Sequence, residues 1–257
     1  MMQISLSRDM IHTGNLILVN REYPCKESGA KAGAKAALTP IGILDDTVVL
    51  ERQHAAIFIK LMNDLSAWGH ITATSGWRSQ QEQEQIYQNS LLENGADFTA
   101  KYVALPGHSE HQTGLALDLA LRQPDIDTLR PYFPYTGICG VFRDRAERFG
   151  FIERYPKNKE NITGIAHEPW HFRYVGAPHA TIMNHAGETL EEYLTRLKEF
   201  PYGCKALEYD FGASRIEVSY LAANGKPVTF EIENDAVYTV SGNNMDGFII
   251  TVWQENR

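Results

Sequence analysis

Cysteine is scarce in this chain. There are three in 257 residues, Cys25, Cys139 and Cys204, odd in number and far apart. That pattern argues against a disulfide framework or a cysteine-rich metal knuckle, and it predicts reduced thiols. Long apolar runs are missing too, since no stretch approaches the ~20 residues a membrane span needs. Residues 1–9 lack the basic start and apolar core of a secretory signal. Together these features predict a cytoplasmic protein with no membrane insertion. Positive charge is in short supply: 24 Lys and Arg against 32 Asp and Glu leave a net charge of −8, with no basic stripe. Nucleic acid is therefore not an expected partner.

What remains is the composition of a globular protein with a sizeable core, 43% hydrophobic and 22% charged. The periodicities predict a strand or pinned segment over 15–20, a loop over 28–39, and a helix from Asp45 or Asp46 to about Trp68, ended by Gly69. A strand over 71–75 leads to a helix over 80–92, capped by Ser79 with Glu82 completing a capping box. Short helices are expected over 124–132 and 140–149, strands at 151–152 and 171–175, and one helix over 180–200 with Leu190, Tyr193, Leu194 and Leu197 on one stripe. After Pro201-Tyr202-Gly203 the grammar turns to β: a hairpin over 216–232 about Asn224-Gly225, then a second over 237–252. The division that follows is 1–203 as the main domain and 204–257 as a small β appendage.

Two stretches carry the chemistry. In the first, Leu115, Leu117, Leu119 and Leu121 alternate with Ala116, Asp118 and Ala120, giving a strand with one carboxylate between two alanines. An ionised Asp there needs a counter-charge or a metal. His111, seven residues upstream beyond a glycine-containing turn, can fold back to meet it. A solvated Asp with a loop histidine is the alternative.

The second stretch is His167-Glu168-Pro169-Trp170-His171. It satisfies HExxH, which binds zinc when both histidines share a helix face. Pro169 removes a backbone donor and turns Glu168 from helical geometry, and the aromatic, β-branched residues that follow favour a strand. In an extended chain the two histidines lie about 13 Å apart, too far for one metal. The better set is His111, Asp118 and His171 around one zinc ion, with Glu168 as proton acceptor and Arg78, after the 71–75 strand, facing the oxyanion.

These residues, Ser109-x-His111-x-x-Gly114-x-Ala116-x-Asp118 with Glu168-Pro169-Trp170-His171 and an upstream Gly76-Trp77-Arg78-Ser79-x-x-x-Gln83, resemble the VanX/VanY group of zinc D,D-peptidases over about residues 15–200. The likeness is strongest to its cytoplasmic bifunctional VanXY enzymes. It implies an α+β fold, with helices packed on a central antiparallel sheet that carries the zinc site. It implies one Zn2+ held by His111, Asp118 and His171, Glu168 as base and Arg78 on the oxyanion. Ser109, Gln83 and Arg78 match positions that bind substrate. The implied substrates are D-Ala-D-Ala and the pentapeptide precursor of the cell wall, whose removal supports vancomycin resistance. Trp77 stands where relatives often have tyrosine, and the segment after 203 is extra to the simplest members. The rivals are an L,D-carboxypeptidase of the same fold and a zinc protein without catalysis, as hedgehog domains are. Oligomeric state is not legible.

Overall fold

A computed structural model describes residues 1–26, 38–41 and 47–255, the side chain of residue 255 excepted. The chain forms two compact units, Val19–Thr189 and Met1–Leu18 with Leu190–Arg257. The smaller unit thus takes the first strand, β1 (Met2–Leu6), together with the end of the chain. The expected boundary at 203/204 falls inside this unit rather than at its edge.

In the larger unit, β2 (Leu38–Pro40) pairs with β3 (Val49–Glu51), which runs directly into helix α1 (Arg52–Asp64). Glu51 caps this helix, its carboxylate accepting from the backbone N–H of Gln53 at 2.9 Å. The helix therefore starts later than expected, and its anticipated caps, Asp45 and Asp46, lie outside the described residues, as do positions 28–37 of the expected loop. It also ends earlier: Gly69 closes a separate 3-10 turn, Ala67–Gly69. Residues Ala55, Phe58, Leu61 and Met62 form its buried face.

The central sheet holds four antiparallel strands in the order β4 (Ile71–Ser75), β5 (Ala116–Leu121), β7 (Glu168–Tyr174), β6 (Phe151–Tyr155). Between β4 and β5 lie α2 (Gln80–Asn94), with the predicted Ser79–Glu82 capping box, and α3 (Ala96–Tyr102), which sequence patterning missed. Helices α4 (Gly137–Ala146) and α5 (Glu160–Thr163) flank β6, and α6 (His179–Ala186) follows β7. Phe58, Phe142 and Phe151 meet edge-on, as do Phe142 and Phe172, tying α1, α4 and the sheet into one core. No helix forms over 124–132. Asp127 instead accepts from the N–H groups of Leu129 and Arg130 at 2.9 and 3.0 Å, a side-chain turn that competes with helix.

The expected 180–200 helix is broken near the end of the larger unit at Gly187, whose φ of +64° closes α6. Its second half, in the smaller unit, is α7 (Leu190–Leu197), with Leu190, Tyr193, Leu194 and Leu197 buried as the stripe predicted. The strands β8 (Leu207–Phe211), β9 (Ser214–Ala222), β10 (Val228–Ile232), β11 (Val237–Gly242) and β12 (Gly247–Glu255) follow. The β11–β12 hairpin forms as expected, but the 216–232 hairpin does not. Asn224 and Gly225 do make the left-handed turn, yet β10 then ladders with β1, and β9 with β8 and β12. The partner that decides this pairing lies more than 200 residues upstream in sequence, out of reach of a local turn signal.

Candidate metal centre

Sheet register builds the site. Asp118 on β5 sits directly opposite His171 on β7, and Ser75 on β4 lies on the other side of Asp118. Residues paired across a ladder keep their side chains on one face. The Nδ1 of His171 is 2.9 Å from one carboxylate oxygen of Asp118, and the Nε2 of His111 is 3.2 Å from the other.

His111 arrives by a different route. It belongs to a 3-10 turn, Glu110–Thr113, closed by Gly114 at φ +72°. Only glycine fits there without strain, because the conformation is left-handed and a Cβ would press on the Glu51 backbone at 3.2 Å. The ring Nδ1–H donates to the carbonyl of Gly76 at 2.7 Å, which leaves Nε2 bare and aimed at Asp118.

Ligand atoms of His111, Asp118 and His171 all lie within 4.8 Å of one another, and all three residues are buried. Two imidazoles and a carboxylate are a donor set suited to a catalytic zinc site with one open position. The three side chains therefore fit a divalent transition metal.

His167 stays outside. Its Nε2 is 2.8 Å from the hydroxyl of Tyr135, and Glu168, Pro169 and His171 are strand residues, so HExxH does not form its helical motif here. Strict alternation along β7 would put Glu168 on the face opposite His171. The β6–β7 register is irregular at this point, and Glu168 returns to the site with its carboxylate 3.8 Å from His171 Nδ1. The same pocket is lined by Gln83 from α2, by Ser109 at the start of the 110–113 turn, and by Arg78, which reaches it from the turn after β4. Its guanidinium is held by Ser75 Oγ at 2.8 Å and Gln83 Oε1 at 2.7 Å. Gln83 in turn donates to the carbonyl of Ala104 at 2.8 Å, so both ends of its amide are engaged in positioning Arg78.

Residues 47–177 match the sequence model of VanY, D-alanyl-D-alanine carboxypeptidase. The chain belongs to the VanY family. Among the relatives of this family member is the bifunctional D-Ala-D-Ala dipeptidase and D-Ala-D-Ala carboxypeptidase VanXYC of Enterococcus gallinarum, 39% identical over 69% of this chain and 92% of that protein. The crystal structure of the vancomycin resistance D,D-dipeptidase VanXYg with a D-Ala-D-Ala phosphinate analogue is 44% identical, with a TM-score of 0.93 over 98% of this chain and 99% of that one. A VanY D,D-pentapeptidase variant in complex with Zn(II) is 32% identical, with a TM-score of 0.55 over 70% of this chain and 98% of that one.

The electrostatics of this VanY-family site follow from burial. Desolvation raises the Glu168 carboxyl to about 8, with His171 opposing the rise and Asp118 adding to it. His171 would be lowered by burial, but the hydrogen bond to Asp118 and the nearby carboxylate of Glu110 outweigh this and lift it to about 9. Burial also pushes Asp118 up, but the two imidazoles overcome it and hold the carboxyl well below the usual range. A divalent cation would lower Glu168 and His171 by supplying positive charge at the centre of the cluster.

Sequence reasoning missed Glu110, which lies completely inside the protein between Arg154 and Arg173. Its only sequence signal was a charged residue between Ser109 and His111. The two arginines come from other strands, and nothing local announces them.

Proposed function

We propose that this chain is a zinc D,D-peptidase that removes the C-terminal D-Ala from D-Ala-D-Ala and from peptidoglycan pentapeptide precursors, an activity that would support resistance to vancomycin-type glycopeptides. The observation that carries the reading is the meeting of His111, Asp118, His171, Glu168 and Arg78 in one buried pocket.

One Zn2+ per chain would be held by His111, Asp118 and His171, and when bound would supply Lewis acidity at the scissile carbonyl. Glu168 takes the proton of the attacking water and delivers it to the departing amine nitrogen. Arg78, its guanidinium fixed by Ser75 and Gln83, faces the negative charge that develops on the carbonyl oxygen. Preorganisation matters here, because a cation already held in place need not reorganise as the charge appears. Ser109 and Gln83 line the pocket and complete the hold on the peptide's C-terminal part. Three free thiols, one of them exposed at Cys204, support a reducing compartment.

The test is a substrate panel: D-Ala-D-Ala, a UDP-linked pentapeptide ending in D-Ala-D-Ala, its D-Ala-D-Ser and D-Ala-D-Lac analogues, and a tetrapeptide ending in an L,D bond. Release of D-Ala from the first two is expected. Release from the tetrapeptide alone would make the chain an L,D-carboxypeptidase, and release from none of them would leave a metal-binding protein without catalysis.

A further inference from the structure

Glu110 and His171 each leave one buried polar atom without a hydrogen-bond partner, Oε2 of the acid and Nε2 of the imidazole. The two atoms face each other at 3.6 Å. Burying either without a partner is costly. The gap exceeds a normal hydrogen bond by a few tenths of an ångström, which a small rotation of either side chain closes. The other oxygen of Glu110 is already engaged, accepting from Arg154 Nε at 2.8 Å and Arg173 Nη1 at 2.7 Å. Both guanidiniums are fully buried, and between them the carboxylate is kept ionised and restricted to accepting.

We propose that Glu110 is the positioning residue of His171: its free oxygen accepts the Nε2–H of that imidazole and so keeps Nδ1 bare for the metal. The proposal rests on the zinc-site reading given above. The geometry gives the direction of the effect. Nδ1 is the nitrogen that points at Asp118 and Glu168, at 2.9 and 3.8 Å, so the proton must reside on Nε2 for the centre to form. An acceptor locked behind the ring selects that tautomer and its orientation. Glu110 adjoins His111 in the same 3-10 turn, so one short segment carries one ligand and steers another. Arg173 lies two residues beyond His171 on β7, and Arg154 lies on β6, so the sheet itself clamps the steering carboxylate.

Nitrogen NMR of the histidine side chains in the full chain loaded with Zn2+ or cadmium tests this without any substitution. His171 protonated on Nε2, with the metal on Nδ1, is the expected result; a proton on Nδ1 or the metal on Nε2 overturns the proposal while leaving the zinc reading intact. Failure of the wild-type chain to bind either metal overturns both. Glu110→Gln, confirmed as folded by circular dichroism, is expected to weaken Zn2+ binding about 10- to 100-fold in competition with a chromophoric chelator, and to alter the visible spectrum of the cobalt form. Because that change leaves two buried guanidiniums short of countercharge, Glu110→Gln combined with Arg154→Met serves as the second variant. Unchanged Zn2+ affinity in either folded variant overturns the assignment.

Discussion

Asp118 and His171 stand opposite each other in the β5–β7 ladder, 2.9 Å apart through carboxylate and Nδ1. A slip of one residue in that ladder would carry His171 to the other face of the sheet and abolish the cluster, because side chains alternate with a period of two. The hydrophobic pattern that fixes the register of β5 therefore also fixes the site.

Glu168→Ala is expected to lower turnover of D-Ala-D-Ala by about 10²- to 10⁴-fold, the span of a lost general base. Its carboxylate is 3.8 Å from His171 Nδ1 and is not one of the three clustered ligands, so the variant should keep one equivalent of zinc by elemental analysis. Full activity in the variant would remove Glu168 from the mechanism.

Arg78→Ala should reduce kcat by about 10²- to 10³-fold while changing KM much less, as expected for an interaction made chiefly in the transition state. Gln83→Ala should shift the same parameter in the same direction by less, because Gln83 holds one arm of Arg78 at 2.7 Å. Steady-state kinetics on both variants decide it; a pure KM effect for Arg78 would place it in ground-state binding instead.

Gly76→Ala should destabilise the protein by about 1–3 kcal/mol and weaken metal binding together. A Cβ at this position would lie 2.3 Å from the carbonyl of Val49, so the backbone must move, and the Gly76 carbonyl that orients His111 moves with it. Urea denaturation and zinc titration on the same sample measure both effects; a fall in stability with unchanged zinc affinity would separate the glycine from the site.

The contribution of His179 to stability should fall as pH drops below about 6.5. Burial lowers His179 to about 4, so between these values the unfolded chain binds a proton that the folded one refuses. The stabilisation is present above the unfolded pKa and is lost as pH falls towards the folded one, on the order of 2 kcal/mol between pH 7 and about pH 5. His54, also lowered to about 4 chiefly by burial, acts in the same direction. His179→Gln should therefore flatten, without abolishing, the pH dependence of urea unfolding. An unaltered slope would show that His179 titrates normally in the folded chain.

Much of the larger unit was legible because its signals are local. The Ser79–Glu82 capping box and the alternation of residues 115–121 each need only a short window of sequence, and both appear as read. Local signals also failed where a distant partner competed. Asn224-Gly225 makes its turn, but β1 takes the strand that should have completed the hairpin. Over 124–132 the competitor was close by, the Asp127 side chain bonding the backbone that a helix would have used.

By itself the sequence determined which side chains could form a metal centre, because two histidines, a lone strand aspartate and a carboxylate before proline are chemically restricted choices. It also weighed against a shared helix for His167 and His171, since Pro169 in the middle of the motif disfavours one. Tertiary structure alone decided that Asp118 meets His171, that Glu168 returns to their side of the sheet, and that Glu110 lies between two buried arginines behind the ring. Each of those outcomes depends on strand register between segments tens of residues apart, where the burial of whole faces, rather than any local preference, selects the pairing.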